Sequence, residues 1–284
     1  MKHLNQFITE YIIKKKLDKP INSEDNYEYF PKTKEELISN IKELFDKGET
    51  NLNCIDTSKI TDMSNLFDSY VNKTPEIKFN FNISKWDVSN VTNMESMFFN
   101  CKKFDCDLSN WNVSNVKNMS NMFMHCKSFE GKGLDKWDVS NIVNMRAMFE
   151  DCSNLDFDLS KWNISKLKNI RSMFSGCENL KEINLSNFNT SNVKRMSLMF
   201  MGCSSFEKLD LSNFDTSNVE TMSGMFLSCT NLKEINLSSF NTSNVTDMSD
   251  MFAYCRNLED IDISHFNMDK VEDDSGMFTD TKFE

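Results

Sequence analysis

A phrase built around Ser-Asn-Val-Thr-x-Met-Ser-x-Met-Phe returns every 25 or 26 residues through nearly the whole chain. Its Met-Phe pair places phenylalanines at Phe98, Phe123, Phe149, Phe174, Phe200, Phe226, Phe252 and Phe278. A period in this range predicts a solenoid, in which each unit is too small to bury a core alone and does so against its neighbours. The length of 284 residues, which would suit two ordinary domains, therefore predicts a single elongated one.

The spacing within one repeat predicts its parts. In the unit Leu180 to Cys203, Ile183 and Leu185 alternate with Glu182, Asn184 and Ser186, the period of a half-buried strand. Met196, Met199, Phe200 and Cys203 fall at intervals that make one face of a short helix. The polar run Asn189 to Asn192 between them consists of turn formers. The predicted fold class is thus α/β: a single-domain solenoid of about nine coils of 25–26 residues, with a parallel sheet on one face and short helices on the other. Thr33-Lys34-Glu35-Glu36 has the spacing of a capping box, and Leu37, Ile38, Ile41, Leu44 and Phe45 follow it, with Gly48 as a stop. That pattern predicts a helical cap over the amino end of the stack, which would otherwise expose apolar surface. The expected division is 1–30 as an amino-terminal helix and linker, 31–50 as the capping helix and 51–284 as the solenoid, with 72–76 as a loop.

The array has two dialects. The aromatic that ends the strand is Trp in Trp86, Trp111, Trp137 and Trp162, and Phe in Phe188, Phe214, Phe240 and Phe266. Seven of the nine cysteines hold one register, from Cys101 to Cys255, which marks a packing position because free Cys behaves as a small hydrophobe. There is no Cys-x-x-Cys pair of the kind that holds zinc. Asp or Asn follows each strand-end aromatic and Ser recurs two residues later, a pattern that satisfies turn backbone groups.

The phrases Trp86-Asp87-Val88-Ser89-Asn90-Val91-Thr92-Asn93-Met94 and Phe240-Asn241-Thr242-Ser243-Asn244-Val245-Thr246-Asp247-Met248-Ser249-Asp250-Met251-Phe252 resemble the BspA-like leucine-rich-repeat surface proteins over about residues 51–280. Similar repeats occur in mycoplasmas and in phages of gut bacteria. The resemblance implies a leucine-rich-repeat solenoid that adheres to or binds other proteins, without enzymatic activity. Surface members usually carry an export signal or anchor. Here the first residues form no apolar signal core, so a cytoplasmic or virion-associated location is expected instead. The alternative function is an intracellular or virion-associated scaffold docked through residues 1–26.

Composition excludes several classes. A formal charge of -11 opposes phosphate, so no nucleic-acid partner is expected. No run approaches the roughly 20 apolar residues of a membrane helix. His3, His125 and His265 lie far apart, and no nucleophile has a base and orienting acid near it, so no enzyme, metal or cofactor is predicted. The partner expected is another protein.

The face to test for binding is the exposed side of the predicted sheet. One column reads Asn82, Asp107, Gly133, Asp158, Asn184, Asp210, Asn236 and Asp262, and its neighbour Glu182, Lys208, Glu234 and Asp260. The plain alternative for both columns is a solvated face whose alternating Asp and Asn avoid like-charge contact.

Overall fold

The computed structural model of the chain describes residues 27–68, 77 and 80–284. The predicted docking segment at 1–26 and loop at 72–76 lie outside these residues. Helix α1 spans Lys34–Asp46. Thr33 caps it by accepting the Glu36 amide hydrogen at 3.3 Å, while the Glu36 carboxylate reaches one residue further back than a capping box requires, to the Lys32 amide at 2.6 Å. Leu37, Ile41 and Leu44 bury the inner face, and Phe45 meets the Phe81 ring edge-on at 5.8 Å. Beyond it, Gly48 takes φ 78°, and the Glu49 amide closes the turn on the Leu44 carbonyl.

Successive repeats stack in parallel register. Bridges link Asp62 to Asn93, Asn93 to Asn118, and so on through Asn144, Asn169, Arg195, Thr221 and Asp247 to Asp273. Regular strand is confined, among the described residues, to β1 (Lys208–Asp210) and β2 (Glu234–Asn236), a parallel pair with Lys208 opposite Glu234 and Asp210 opposite Asn236. Elsewhere the expected sheet is reduced to single bridges, such as Glu234 to Asp260 and Asn51 to Asn82.

Among the described residues the expected short helices are absent, and the segments read as helical are pairs of turns. In the segment Met94 to Cys101, the amides of Met97, Phe99 and Cys101 bond to the carbonyls three residues back, at 2.9–3.2 Å. The alternate amides, of Met94, Ser96, Phe98 and Asn100, donate instead to Asn118, Ser120, Met122 and Met124 of the next repeat, at 2.8–2.9 Å. An α-helix would close all of these bonds within itself. Here half of them join neighbours. The geometry requires two left-handed residues in each repeat, four apart, at the third position of each turn. Ser96 and Asn100, His125 with Asn121, and Leu198 with Gly202 fill these places, all with φ between 52° and 69°. At Gly176 a Cβ would run into the Asp151 carboxylate of the preceding repeat, whereas at Gly202, with the same φ of 69°, it would meet nothing nearer than 3.7 Å.

The core runs the length of the stack. Phe67, Phe98, Phe123, Phe149, Phe174, Phe200, Phe226, Phe252 and Phe278 form a column of stacked rings with centroids 5.3–6.0 Å apart and planes within 13° of parallel. The methionines beside them are fully buried. All nine cysteines are free thiols. Those from Cys126 to Cys255 in the repeat register donate to the Phe carbonyl of the preceding repeat at 3.0–3.2 Å, so the position is both packing and hydrogen bond. Burial raises their pKa, that of Cys255 to about 12.

Candidate functional site

The two predicted columns are brought together in register, but their side chains are engaged differently. In the first column the side-chain oxygen turns back onto its own chain. Asn82, Asp107, Asp158, Asn184, Asp210, Asn236 and Asp262 each accept the amide hydrogen of the serine two residues on, at 2.8–3.2 Å. These are Asx turns, and they form one corner of each repeat. Ser109, Ser160 and Ser264 add their hydroxyls to the same carboxylates. The bonds favour the charged form, so the serine hydroxyl and amide hold Asp107, Asp158 and Asp262 below the usual carboxylate range, and at Asp210 the Ser212 amide leads. Gly133 occupies the same corner at φ 87°, where a Cβ would press on the Ser109 backbone.

The second column is oriented outward. Lys208 pairs with Glu234 across the two strands at 2.8 Å, with both side chains more than half exposed. Lys233 and Glu207 form a parallel pair at 2.9 Å beside them. Glu182 and Asp260 are exposed and take part in no side-chain hydrogen bond or ion pair among the described residues. Surface pairs of this kind contribute little stability, so replacing them leaves the fold intact.

Two further corners repeat the same chemistry. After each strand-end aromatic, Asp87, Asn112, Asp138, Asn163, Asn189, Asp215 and Asn241 accept the amide of the serine two residues on at 3.0–3.2 Å. Before the turn pairs, Asp62, Asn93, Asn118, Asn144, Asn169, Asp247 and Asp273 accept the amide two residues on, of Ser64, Glu95, Ser120, Arg146, Arg171, Ser249 and Ser275, at 2.8–3.2 Å. The asparagine after the repeated serine ties neighbours together, as Asn115 Nδ2 donates to Ser89 O at 2.7 Å and Asn218 to Ser191 O at 2.7 Å.

The dialects differ by coordinated exchanges that side-chain type alone did not disclose. Trp86, Trp111, Trp137 and Trp162 donate their indole N–H to the Leu52, Ile83, Leu108 and Leu134 carbonyls of the preceding repeat at 2.8–3.2 Å. Phenylalanine has no such donor. In the Phe repeats from Phe214 on, the residue just before it supplies one, Asn213 to Leu185, Ser239 to Leu211 and His265 to Leu237, at 2.8–3.2 Å, whereas Asn187 before Phe188 donates to the Ser160 carbonyl. In parallel, Val88, Val113 and Val139 give way to the buried Thr190, Thr216 and Thr242, whose hydroxyls donate to the next repeat at 2.9–3.0 Å. His265 is therefore a packing donor. His125 holds a left-handed turn position, with Nδ1 at 2.7 Å from the Asp151 carboxylate and its ring edge-on to Phe99.

Among the described residues no group of three or more His, Cys, Asp or Glu is placed to hold a metal ion, and every buried side-chain nitrogen or oxygen has a hydrogen-bond partner. No helix among them is long and apolar enough to cross a membrane.

Comparison with known proteins gives one family. Residues 36–133, 126–210 and 207–284 match the family model described as "Mycoplasma protein of unknown function, DUF285". No curated protein matches. Among solved structures, one described as "Crystal structure of TLR13-ssRNA13 complex" is 15% identical, with 80% of this chain and 48% of that chain covered, at a TM-score of 0.17. The chain thus spans about half the length of that structure, and a TM-score so low does not establish a shared fold.

Proposed function

We propose, for a chain that belongs to the Mycoplasma DUF285 family, that it is a non-enzymatic protein-binding module. In this reading the stack is a leucine-rich-repeat solenoid of the BspA-like kind. Its second exposed column engages another protein through shape and polar complementarity over several repeats. The observation that carries the reading is the contrast between the two columns. Asp210 and its equivalents are committed to corners, while Lys208 and Glu234 project from paired strands, flanked by the exposed Glu182 and Asp260, and their side chains make no contact among the described residues beyond one exposed ion pair. A rigid scaffold that presents side chains free to vary is what a recognition surface requires.

The test is a binding comparison with the full chain. Glu182→Lys, Glu234→Lys and Asp260→Lys together are expected to abolish retention of proteins that the wild type captures from source-cell extract and that bind it again when purified. The melting temperature should stay unchanged. Equal binding by wild type and variant to the same purified protein would sink the reading.

A further inference from the structure

The turn side of the stack, formed by the segments with the left-handed residues, carries a charge pattern that the net charge conceals. Over four successive repeats it bears Lys117, Arg146, Lys168, Arg171, Lys194 and Arg195, all exposed. The backbone ladders place them in adjoining columns. Lys117, Val143, Lys168 and Lys194 follow one another by amide-to-carbonyl bonds of 2.9 Å, and Arg146 stands beside Arg171, whose carbonyl accepts from Ala147 at 2.8 Å. Over the next three repeats two of these columns become acidic, while that of Arg146 and Arg171 continues as Ser223, Ser249 and Ser275. Glu220 and Glu272 continue the lysine column, Asp247 and Asp273 continue the column of Arg195, and Asp250 stands at the left-handed turn position beside them. At the seam Lys194 and Glu220 pair at 2.8 Å, and Glu150 lies within electrostatic reach of Arg146 and Arg171. Within the basic half, Asp151 is taken by His125, and Glu150 is half-buried.

The middle of this face is apolar. Leu198, Met201 and Leu227 are half-buried there, and Leu198 lies so close over Gly224 that a Cβ would meet its Cδ2 at 2.5 Å. An apolar centre between two halves of opposite sign has the composition of an interface, with desolvated contacts in the middle and charge toward the rim.

We propose that this face binds a second copy of the chain. The two copies pack turn side to turn side with their stacks antiparallel, about a two-fold axis between the Lys194 and Glu220 repeats. Such a contact is isologous, so whatever one copy places on its partner it receives in return. It sets Lys168 and Arg171 against Asp250 of the other copy, and Arg146 against Glu272. The leucines and Met201 meet at the axis. A free polyanion or an acidic protein would use the basic half and leave the acidic half unmatched; a second copy uses both. The proposal stands whether or not the column from Glu182 to Asp260 takes a partner.

Light scattering of the full chain after gel filtration tests it. In low salt the mass should be twice 33.1 kDa. It should halve in about 1 M salt, where the Debye length shrinks to about 3 Å. Arg146→Glu with Arg171→Glu should be monomeric alone, as should Asp250→Lys with Glu272→Lys. Mixed, the two variants should recover a one-to-one complex, because one half of the two-fold contact then carries both pairs reversed and the other keeps them as in the wild type. Should either charge variant fail to fold, Leu198→Asp at the axis is expected to give the monomer, since the stack accepts Asp250 at the equivalent turn position two repeats further on. A monomeric wild type in low salt, variants that remain dimeric, a mixture that stays monomeric, or a mass that climbs past the dimer with concentration would each overturn the proposal.

Discussion

Each large residue of the repeat has an inward side chain, and several also close a hydrogen bond between repeats. Trp162 shows both. It is fully buried, and its indole nitrogen donates to the Leu134 carbonyl at 2.8 Å, beside the turn bond that this carbonyl already accepts from Trp137. Trp162→Phe should lower stability by about 1 kcal/mol for the lost hydrogen bond, with a further cavity contribution from the smaller ring. Adding Lys161→Asn imports the donor of the Phe dialect, as Asn213 supplies it to Leu185 at 2.8 Å, and should return part of the loss. Urea midpoints of the two variants check this; a single variant that unfolds with the wild type would refute the exchange. The tryptophans were legible as core from their register. Their second role was not, because its acceptor lies 28 residues away in the preceding repeat and no pattern inside one repeat points to it.

Within the repeat, the corners and turn pairs decide the path of the chain. Met196, Met199, Phe200 and Cys203 do face inward together, as their spacing predicts, and all are fully buried. Periodicity records only which side chains point inward. It does not record where the amides go, and here Met196 and Phe200 donate to Thr221 and Met225 of the next repeat. A signal was present in the outward residues: Asn100, Gly176, Gly202, Gly224 and Gly276 recur at the left-handed places, and these types rarely fill exposed helix positions. The residues after the strand-end aromatic, such as Asp215, were readable as turns, but Asp210 and its column read as the exposed face of a strand, since sequence does not show whether an oxygen is already engaged. Their turn role has a pH signature. The Ser212 amide depresses the folded pKa of Asp210 below its unfolded value, about 3.9. Its contribution is therefore present above about pH 4 and lost as pH falls through the folded value. Asp210→Asn should match the wild type near neutrality, because Asn184 and Asn236 form the same corner in the adjacent repeats. Its urea midpoint should fall less steeply on acidification. Identical acid slopes for the two proteins would show that the corner bond does not set the shift.

Over the whole molecule, stability is distributed along a line. Each repeat touches the one before and the one after, so an interior defect weakens two contacts and a terminal defect one. Phe174 stacks on Phe149 at 5.8 Å and Phe200 at 5.9 Å, whereas Phe278 has Phe252 at 5.5 Å and the exposed Phe283 at its edge. Phe174→Ala should cost about 3–5 kcal/mol and broaden or split the melting transition. Phe278→Ala should cost less and leave a single transition. Calorimetry distinguishes the two, and equal shifts with one sharp transition in each would mean that the stack unfolds as an undivided unit. The amino end, by contrast, is closed by α1, with Leu37, Ile41 and Leu44 against the first repeat.

The paired exchange of Trp with Val for Phe with Thr has a consequence for how such a gene can change length. Within one dialect, adjacent repeats present the same donors and acceptors at their upper and lower edges, so unequal recombination that adds or deletes a period leaves equivalent joints. Across the dialect boundary this fails. A Val repeat spliced among the Thr repeats removes the hydroxyl that Asn241 and Asn267 use as acceptors at 2.7 Å. Copy number is therefore free to drift inside each block, while the boundary between Trp162 and Phe188 is a fixed landmark.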